Sequence, residues 1–287
     1  MQVGIGLPGG IPGVKGDLIL EWARRADAGP FSSLGVIDRL VYPNYEPMVV
    51  LAAAAAVTQR VRLMTVILIA TLRNAGILAK EAASVDALSE GRLTLGLAVG
   101  RREDDFRAAP ASIRDRGRRF EEQLALMRRV WSGAPAVEGD GPVGPPPVQS
   151  GGPPVLIGGS DPRVLRRAGR LGDGYISGGR EPSAVAETYR TVEEAWKEAG
   201  RPGRPRLAGI RYYALGPDAS QRGAVFLRHY YTTPGMSPEG AIRALVTSPE
   251  AVSAATRGYQ DNGMDELLWL PAIPELDQID RLAELVG

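Results

Sequence analysis

The feature that most constrains the fold is an alternation, along the whole chain, of short runs rich in β-branched residues with longer amphipathic segments. Runs of the first kind predict strands, and segments of the second kind predict helices. Eight strand–helix units predict a parallel sheet that closes into an α/β barrel, the (β/α)8 TIM barrel. A chain of 287 residues suits one such barrel, so we expect a single TIM-barrel domain over residues 1–287.

The predicted strands are Val3–Leu7, Leu34–Asp38, Arg62–Ile69, Leu93–Val99, Val155–Gly158, Gly174–Ser177, Arg206–Leu215 and Glu266–Leu270. The predicted helices are Asp17–Ala28, Pro47–Thr58, Asn74–Leu88, Gly117–Trp131, Asp161–Leu171, Pro182–Ala199, a helical region within Asp218–Asn262, and Glu275–Val286. Gly91 is expected to end one helix in the left-handed conformation. Asp161 and Ser248, each followed by proline, are expected to begin helices as N-caps.

A segment rich in glycine and proline, Ala134–Pro154, precedes the fifth predicted strand. It has two interpretations, a linker between domains or a long insertion at the active mouth of the barrel. Neither half of the chain could close a barrel by itself, so we favour the insertion and expect it in a strand-to-helix loop.

Composition excludes several kinds of protein. The chain has no cysteine, which excludes disulfides, thiolate catalysis and zinc–thiolate sites. Its 34 Lys and Arg residues nearly balance 33 Asp and Glu residues, which argues against nucleic acid or an anionic membrane as the main partner. The start of the sequence, MQVGIGLPGG, does not resemble a signal peptide, and the apolar stretches are too short to span a bilayer. We therefore expect a cytoplasmic protein.

Two neighbouring strand ends are rich in glycine, namely Gly158-Gly159-Ser160 after strand 5 and Ser177-Gly178-Gly179 after strand 6. In a barrel, function belongs to the C-terminal ends of the strands. Backbone N–H groups and helix N-termini at such ends form an anion site. Gly100-Arg101 follows strand 4 at the same rim. These residues therefore predict a phosphate site, although each glycine pair on its own also suits a tight turn.

Asp38 and Arg39, at the end of strand 2, are the candidate catalytic residues. Asp38 could act as a base, bind a cofactor or form an ion pair with Arg39. Arg101 and Arg102 could bind phosphate or pair with the acidic run Glu103-Asp104-Asp105. The single histidine, His229, is expected on a helix surface. Without a thiol, a histidine base or an acidic cluster spaced for a metal, a bound organic cofactor is the economical source of reactivity.

Several segments together resemble the luciferase-like monooxygenase superfamily across nearly the whole chain, and the resemblance is weakest over Pro217–Asn262. The segments are Val57–Leu63, Leu78–Asp86, Leu88–Gly96, Gly152–Gly159, Leu171–Ile176 and Pro271–Val286.

The resemblance implies a luciferase-like barrel that binds reduced FMN or the deazaflavin F420, usually as a homodimer. It implies that the phosphate lies near Arg101 and the two glycine-rich ends. It implies that the redox ring lies over Ala70-Thr71 at the end of strand 3, near a non-proline cis peptide or bulge. Members that oxidise alcohols with F420, and light-emitting members, carry histidine at the strand 2 end. This chain has Asp38-Arg39 there, which puts both activities in doubt.

Three functions follow from the resemblance and the residues. The first is a monooxygenase that uses reduced FMN from a separate reductase to oxygenate a small organic substrate. The second is an F420-dependent enzyme of hydride transfer, with possible contacts from Arg73, Arg102, Arg107 and Arg180. The third is a flavin-binding protein without turnover. An aldolase-type barrel would need a lysine inside the barrel, and Lys15, Lys80 and Lys197 fall in predicted loops or helices. Alanine-rich Met48–Val57 is the predicted dimer surface.

Overall fold

Eight parallel strands form a closed barrel in sequence order, which confirms the predicted (β/α)8 architecture. The structure is a computed structural model that describes residues 1–233 and 237–287. The strands are β1 Gln2–Gly6, β2 Ser33–Val36, β3 Arg62–Ile69, β4 Leu93–Ala98, β5 Val155–Gly158, β6 Gly174–Ser177, β7 Arg206–Tyr213 and β8 Glu266–Pro271. The helices in the described residues are α1 Gly16–Ala28, α2 Pro47–Val57, α3 Ala75–Leu88, α4 Glu103–Ala108, α5 Arg116–Trp131, α6 Pro162–Leu171, α7 Pro182–Glu198, α8 Ala219–Tyr231, α9 Glu239–Arg243, α10 Pro249–Asp261 and α11 Asp277–Val286.

The predicted helix signals are confirmed. Gly91 has φ of +80° and follows the end of α3, where its N–H donates to the carbonyl of Asp86. The Asp161 carboxylate accepts a hydrogen bond from the backbone N–H of Arg163 at 2.9 Å, and Ser248 caps α10 in the same way. The region predicted only as helical, Asp218–Asn262, contains α8, α9 and α10.

Successive side chains along a strand point alternately into two layers of the hydrophobic core, one between the strands and the helices and one inside the barrel. In β5, Val155 and Ile157 belong to the layer between the strands and the helices, whereas Leu156 belongs to the cluster inside the barrel. This is the period of two expected of a strand that is buried on both faces. Packing of both layers fixes the strands rigidly, so the loops at their C-terminal ends rest on a stable base.

The Gly/Pro-rich segment precedes β5 as predicted, but its expected place at the active mouth is wrong. Ala134–Pro154 follows α5, so it is a helix-to-strand connection and lies at the opposite end of the barrel. The backbone N–H groups of Val148 and Gln149 donate to the carboxylate of Asp86 at 2.8 and 3.0 Å. The Gln149 side chain also donates to the carbonyl of Leu93, the first residue of β4.

No helix in the described part of the chain combines the length and the apolar character needed to cross a bilayer.

Candidate active site

The C-terminal ends of β3 to β7 surround a cavity of about 880 Å3. This volume lies in the range of cofactor and substrate sites. One wall belongs to the barrel interior and is formed by Ile67, Tyr212 and Tyr231. A second wall is formed at the starts of α5 and α6, which contribute charged residues. The cavity therefore joins an apolar wall to a cationic wall.

Arginine dominates the charged residues of the cavity, with nine arginines against two aspartates among the described residues. Four of the arginines pair with carboxylates, and each of these pairs reduces the local charge. The pairs are Arg118 with Asp115 and Glu122, Arg163 with Asp161, Arg167 with Glu121, and Arg211 with Glu181.

The other five cavity arginines have no carboxylate within 4.0 Å in the described parts of the chain, and they are Arg101, Arg102, Arg114, Arg116 and Arg180. Backbone or hydroxyl oxygens accept hydrogen bonds from three of them, Arg102, Arg116 and Arg180. The guanidinium of Arg102 donates to the carbonyl of Tyr230 at 3.1 Å, and that of Arg180 to the hydroxyl of Thr188 at 3.0 Å. These acceptors are neutral, so none of the five guanidinium groups forms an ion pair in the described structure, which suits an anionic ligand.

Both glycine-rich strand ends reach the cavity, as the sequence predicts. Gly158, Gly159 and Ser160 line it from β5, and Gly178 and Gly179 line it from the end of β6. A Cβ atom added to Gly178 would meet nothing within 4 Å, so this backbone borders open space. An anion can therefore approach the backbone closely at this point.

Ser177 lies outside the cavity lining in the described structure. Its hydroxyl donates to the carbonyl of Gly178 at 3.0 Å, so the side chain supports the loop. Gly100 and Arg101, by contrast, both line the cavity. Gly100 has φ of +73°, a conformation that suits glycine, and it precedes the exposed side chain of Arg101.

At the end of β3, Ala70 and Thr71 do not lie where residues beneath the redox ring are expected. Ala70 and Thr71 are buried in a short 3-10 turn outside the cavity lining of the described residues, and the Thr71 hydroxyl donates to the carbonyl of Val99. Ile67 and Ile69 are the β3 residues that line the cavity. The non-proline cis peptide joins Val66 to Ile67, and the register shift against β4 lies between Thr65 and Leu68. Both features lie inside β3 rather than at Ala70-Thr71.

Asp38 and Arg39 are buried, and each pairs with a residue other than its neighbour. The carboxylate of Asp38 accepts hydrogen bonds from Arg73 at 2.7 Å and from the backbone N–H of Ile69 at 2.8 Å. Arg39 donates to Asp104 at 3.0 Å. An ion pair between Asp38 and Arg39 is therefore the wrong interpretation. Adjacent residues project in different directions, and neither side chain belongs to the described cavity lining.

The acidic run after β4 forms no ion pair with Arg101 or Arg102 in the described structure. Glu103 pairs with Arg107 on α4, while Asp105 accepts hydrogen bonds from the backbone N–H groups of Leu40 and Val41. Asp104 pairs with Arg39. Burial, the largest single cause, raises the pKa of the Asp104 carboxyl group, but the hydrogen bonds from Arg39 and the Asp105 backbone together with the charges of Arg39 and Arg102 lower it overall. The alternative in which Arg101 and Arg102 form ion pairs with these carboxylates is therefore wrong.

The four arginines that the sequence analysis gives as possible contacts to F420 divide into two groups. Arg102 and Arg180 line the cavity. Arg73 pairs with Asp38 and Glu46, and Arg107 lies on α4, both away from the described lining. His229 lies exposed on α8, as predicted, with a ring nitrogen 2.8 Å from the hydroxyl of Tyr42.

Sequence reasoning missed six cavity arginines, Arg114, Arg116, Arg118, Arg163, Arg167 and Arg211, and two tyrosines, Tyr212 and Tyr231. The run Arg114-Asp115-Arg116-Gly117-Arg118 was a usable signal because it immediately precedes a predicted helix in the connection after β4.

Comparison with known proteins places this site in a family. A family model described as luciferase-like monooxygenase matches residues 1–287. An uncharacterised protein of Mycobacterium tuberculosis is 28% identical over 212 residues, which is 62% of this chain and 71% of that protein. The chain therefore belongs to the luciferase-like monooxygenase family, whose members are flavin- or F420-dependent oxidoreductases and monooxygenases.

Two solved structures share the fold. The monooxygenase RslO1 from Streptomyces bottropensis gives a TM-score of 0.80 at 24% identity, over 99% of this chain and 97% of its own. An F420-dependent secondary alcohol dehydrogenase in complex with an F420–acetone adduct gives a TM-score of 0.80 at 19% identity, over 100% of this chain and 99% of its own.

Proposed function

We propose that this chain is an oxidoreductase that binds the deazaflavin F420 in its arginine-lined cavity and transfers a hydride to or from a small organic substrate. The observation that carries the proposal is the charge of the cavity, where five of the nine arginines have no carboxylate within 4.0 Å among the described residues. F420 combines a redox ring with a polyanionic tail, so it requires an apolar wall and a cationic wall in one cavity.

In this proposal, the phosphate of the cofactor binds at the two glycine-rich loops. Gly158-Gly159-Ser160 leads directly into α6, whose N-terminus adds the positive end of a helix dipole. Gly178 and Gly179 border the same cavity. Arg101 supplies a guanidinium that stays charged at any working pH and that can donate paired hydrogen bonds to phosphate oxygens.

The polyanionic tail of F420 would bind at the start of α5. Arg114 and Arg116 line the cavity without a carboxylate partner in the described residues, and Arg114 is exposed. A tail that carries several carboxylates would neutralise charges that one phosphate leaves uncompensated. This excess of cations favours F420 over FMN.

The ring position is the apolar wall of Ile67, Tyr212 and Tyr231. Bound F420 supplies the hydride chemistry, and this chain's residues bind it, orient it and exclude water. Ile67 and Ile69 offer a dry surface for a flat ring, next to the polar hydroxyls of the two tyrosines.

A second candidate is the FMN-dependent monooxygenase, in which a separate reductase supplies reduced FMN for oxygenation of a small substrate. The residues at the strand 2 end favour it. Asp38 and Arg39 are held in ion pairs, and His229 lies outside the described cavity lining, so no histidine is placed there to exchange a proton with an alcohol. The RslO1 monooxygenase has the same fold.

Titration of the purified chain with F420 and with FMN, followed by fluorescence or absorbance, tests the proposal. We expect F420 to bind more tightly than FMN, and the preference to shrink as salt screens the tail contacts. The double substitution Arg114→Gln/Arg116→Gln should weaken F420 binding by about 3- to 10-fold, the scale of two solvent-screened charge contacts. It should change FMN binding by less than about twofold.

Arg107→Gln is the matched control, because Arg107 is exposed on α4 and lies outside the described cavity lining. It should leave both affinities unchanged. Tight binding of FMN with none of F420 would select the monooxygenase. Binding without any substrate-linked turnover would select a flavin-binding protein, and failure to bind either cofactor would refute the whole assignment.

A further inference from the structure

Two phenol side chains, Tyr212 and Tyr231, meet at the apolar wall of the cavity, and the proposed function gives their hydroxyl groups no hydrogen-bonding role. Tyr212 lies near the end of β7 and Tyr231 is the last residue of α8. Their hydroxyl oxygens lie 3.3 Å apart, within hydrogen-bonding distance, and both residues line the cavity. Tyr212 is 6% exposed and packs with the cluster inside the barrel.

The hydrogen-bond inventory of this pair is incomplete. Two hydroxyls carry two protons, and one proton lies between the two oxygens whichever tyrosine donates it. The remaining proton has no acceptor among the described residues. Because both tyrosines line the cavity, this proton is available to an oxygen acceptor on a ligand bound there.

The surroundings keep both phenols protonated. Burial raises the pKa of Tyr212 well above its usual value, and it raises the pKa of Tyr231 as well. The guanidinium of Arg102 lies 5.7 Å from the ring centre of Tyr231 and lowers both values only in part. At neutral pH the pair is therefore a neutral donor. A hydroxyl that accepts one hydrogen bond while it donates another is also a stronger donor.

We propose that the free hydroxyl proton of the Tyr212–Tyr231 pair donates a hydrogen bond to a carbonyl oxygen of a ligand bound in the cavity, either a small organic carbonyl substrate or the cofactor ring. This inference rests on the proposed function, because that function puts a reactive ring and a substrate at the same wall. A hydrogen bond to a carbonyl oxygen polarises the carbonyl group towards attack at carbon.

The carbonyl could belong to the substrate or to the cofactor ring, and the test separates the two. Acetophenone and α-methylstyrene serve as probes, because they have nearly the same shape and differ in whether they carry an oxygen acceptor. Ligand-observed NMR gives the dissociation constants of both probes for the chain, with and without cofactor. The ratio of the two constants isolates the contribution of the oxygen.

The double substitution Tyr212→Phe/Tyr231→Phe should weaken the binding of acetophenone relative to α-methylstyrene by about 2- to 10-fold, the effect of one neutral hydrogen bond. The binding of α-methylstyrene should not weaken. Tyr213→Phe is the matched control. Tyr213 is the next residue of β7 and faces the helices, where its hydroxyl donates to the carbonyl of Gln278 at 3.0 Å. This variant should leave the ratio unchanged.

If the double variant loses cofactor affinity by a similar factor while the probe ratio stays constant, the carbonyl is that of the cofactor ring. An unchanged ratio together with an unchanged cofactor affinity, in a variant that melts like the parent, overturns the inference. Failure of the parent chain to bind F420 or FMN would reject the proposed function instead. In that case the probe ratio of the cofactor-free chain still decides whether the tyrosine pair is a carbonyl site.

Discussion

At the scale of single residues, the sequence predicts only those site residues that lie at or just after the end of a strand. Gly158, Gly178 and Arg101 come immediately after, or within a few residues of, a strand end, and barrel geometry assigns such positions to the mouth. Arg163 lies in the first turn of α6 and Arg167 in the second, and nothing local in the sequence marks either side chain as facing the cavity.

The buried ion pairs illustrate a second limit. A sequence places Asp38 beside Arg39, but the partner of Asp38 is Arg73, which is 35 residues further along the chain. Such pairing depends on which strands and loops meet in space. The sequence therefore marked Asp38 as notable without showing what holds it.

Arg101→Ala tests the phosphate position. Arg101 is exposed, lines the cavity and has no ion pair in the described structure, so its loss should leave the melting temperature of the cofactor-free protein almost unchanged. Cofactor affinity should fall by roughly 1.5–3 kcal/mol, the value of a hydrogen bond to a charged group. Calorimetric titration and thermal unfolding measure the two quantities. A drop in stability with unchanged affinity would make Arg101 structural and leave Arg102 as the next candidate.

At the scale of elements, periodicity determined which segments are strands and helices, but not how every connection runs. Strands β3, β5 and β6 begin and end as predicted. The short helix α4 and the connection from it to α5 were not predicted, and that connection carries Arg114. A six-residue helix is too short for an apolar period to mark it.

The segment Ala134–Pro154 shows why a connection can be placed at the wrong end of a barrel. Its composition indicates a loop but carries no direction. Direction comes from the element that precedes it, and α5 carries the chain back towards the start of β5. Counting helices between strands 4 and 5 would have placed it correctly, and the missed α4 does not alter that order.

Gly178→Val tests the loop after β6 as a binding element. A side chain at this position would project into open cavity space, so the fold should tolerate it while the cofactor loses access to the backbone. We expect F420 and FMN to bind at least about tenfold more weakly, with the melting temperature nearly unchanged. Gly141→Val is the control, since Gly141 also borders open space but lies in the connection between α5 and β5. Equal affinities for Gly178→Val and the parent would defeat the assignment.

At the scale of the whole molecule, the closed barrel leaves an apolar surface on its outside. Three large apolar side chains on α2 and α3 are strongly exposed, with Val49 at 66%, Ile77 at 60% and Leu88 at 66%. The two helices pack against each other, and small alanine side chains on α2 would allow a neighbouring helix to approach closely. Exposed apolar side chains that form a contiguous patch are typical of contacts between subunits.

We propose that the chain forms a homodimer through this α2–α3 surface, as the family resemblance and the alanine-rich Met48–Val57 segment led us to expect. Val49→Glu should then convert the dimer to a monomer, because a buried carboxylate without a partner costs several kcal/mol at an interface. Val225→Glu is the matched control: Val225 is 67% exposed on α8, away from this surface, so its variant should keep the mass of the parent. Light scattering at micromolar concentration measures each mass. A monomer mass for the parent chain would refute the dimer, and a dimer that persists in Val49→Glu but dissociates in Val225→Glu would move the interface to α8.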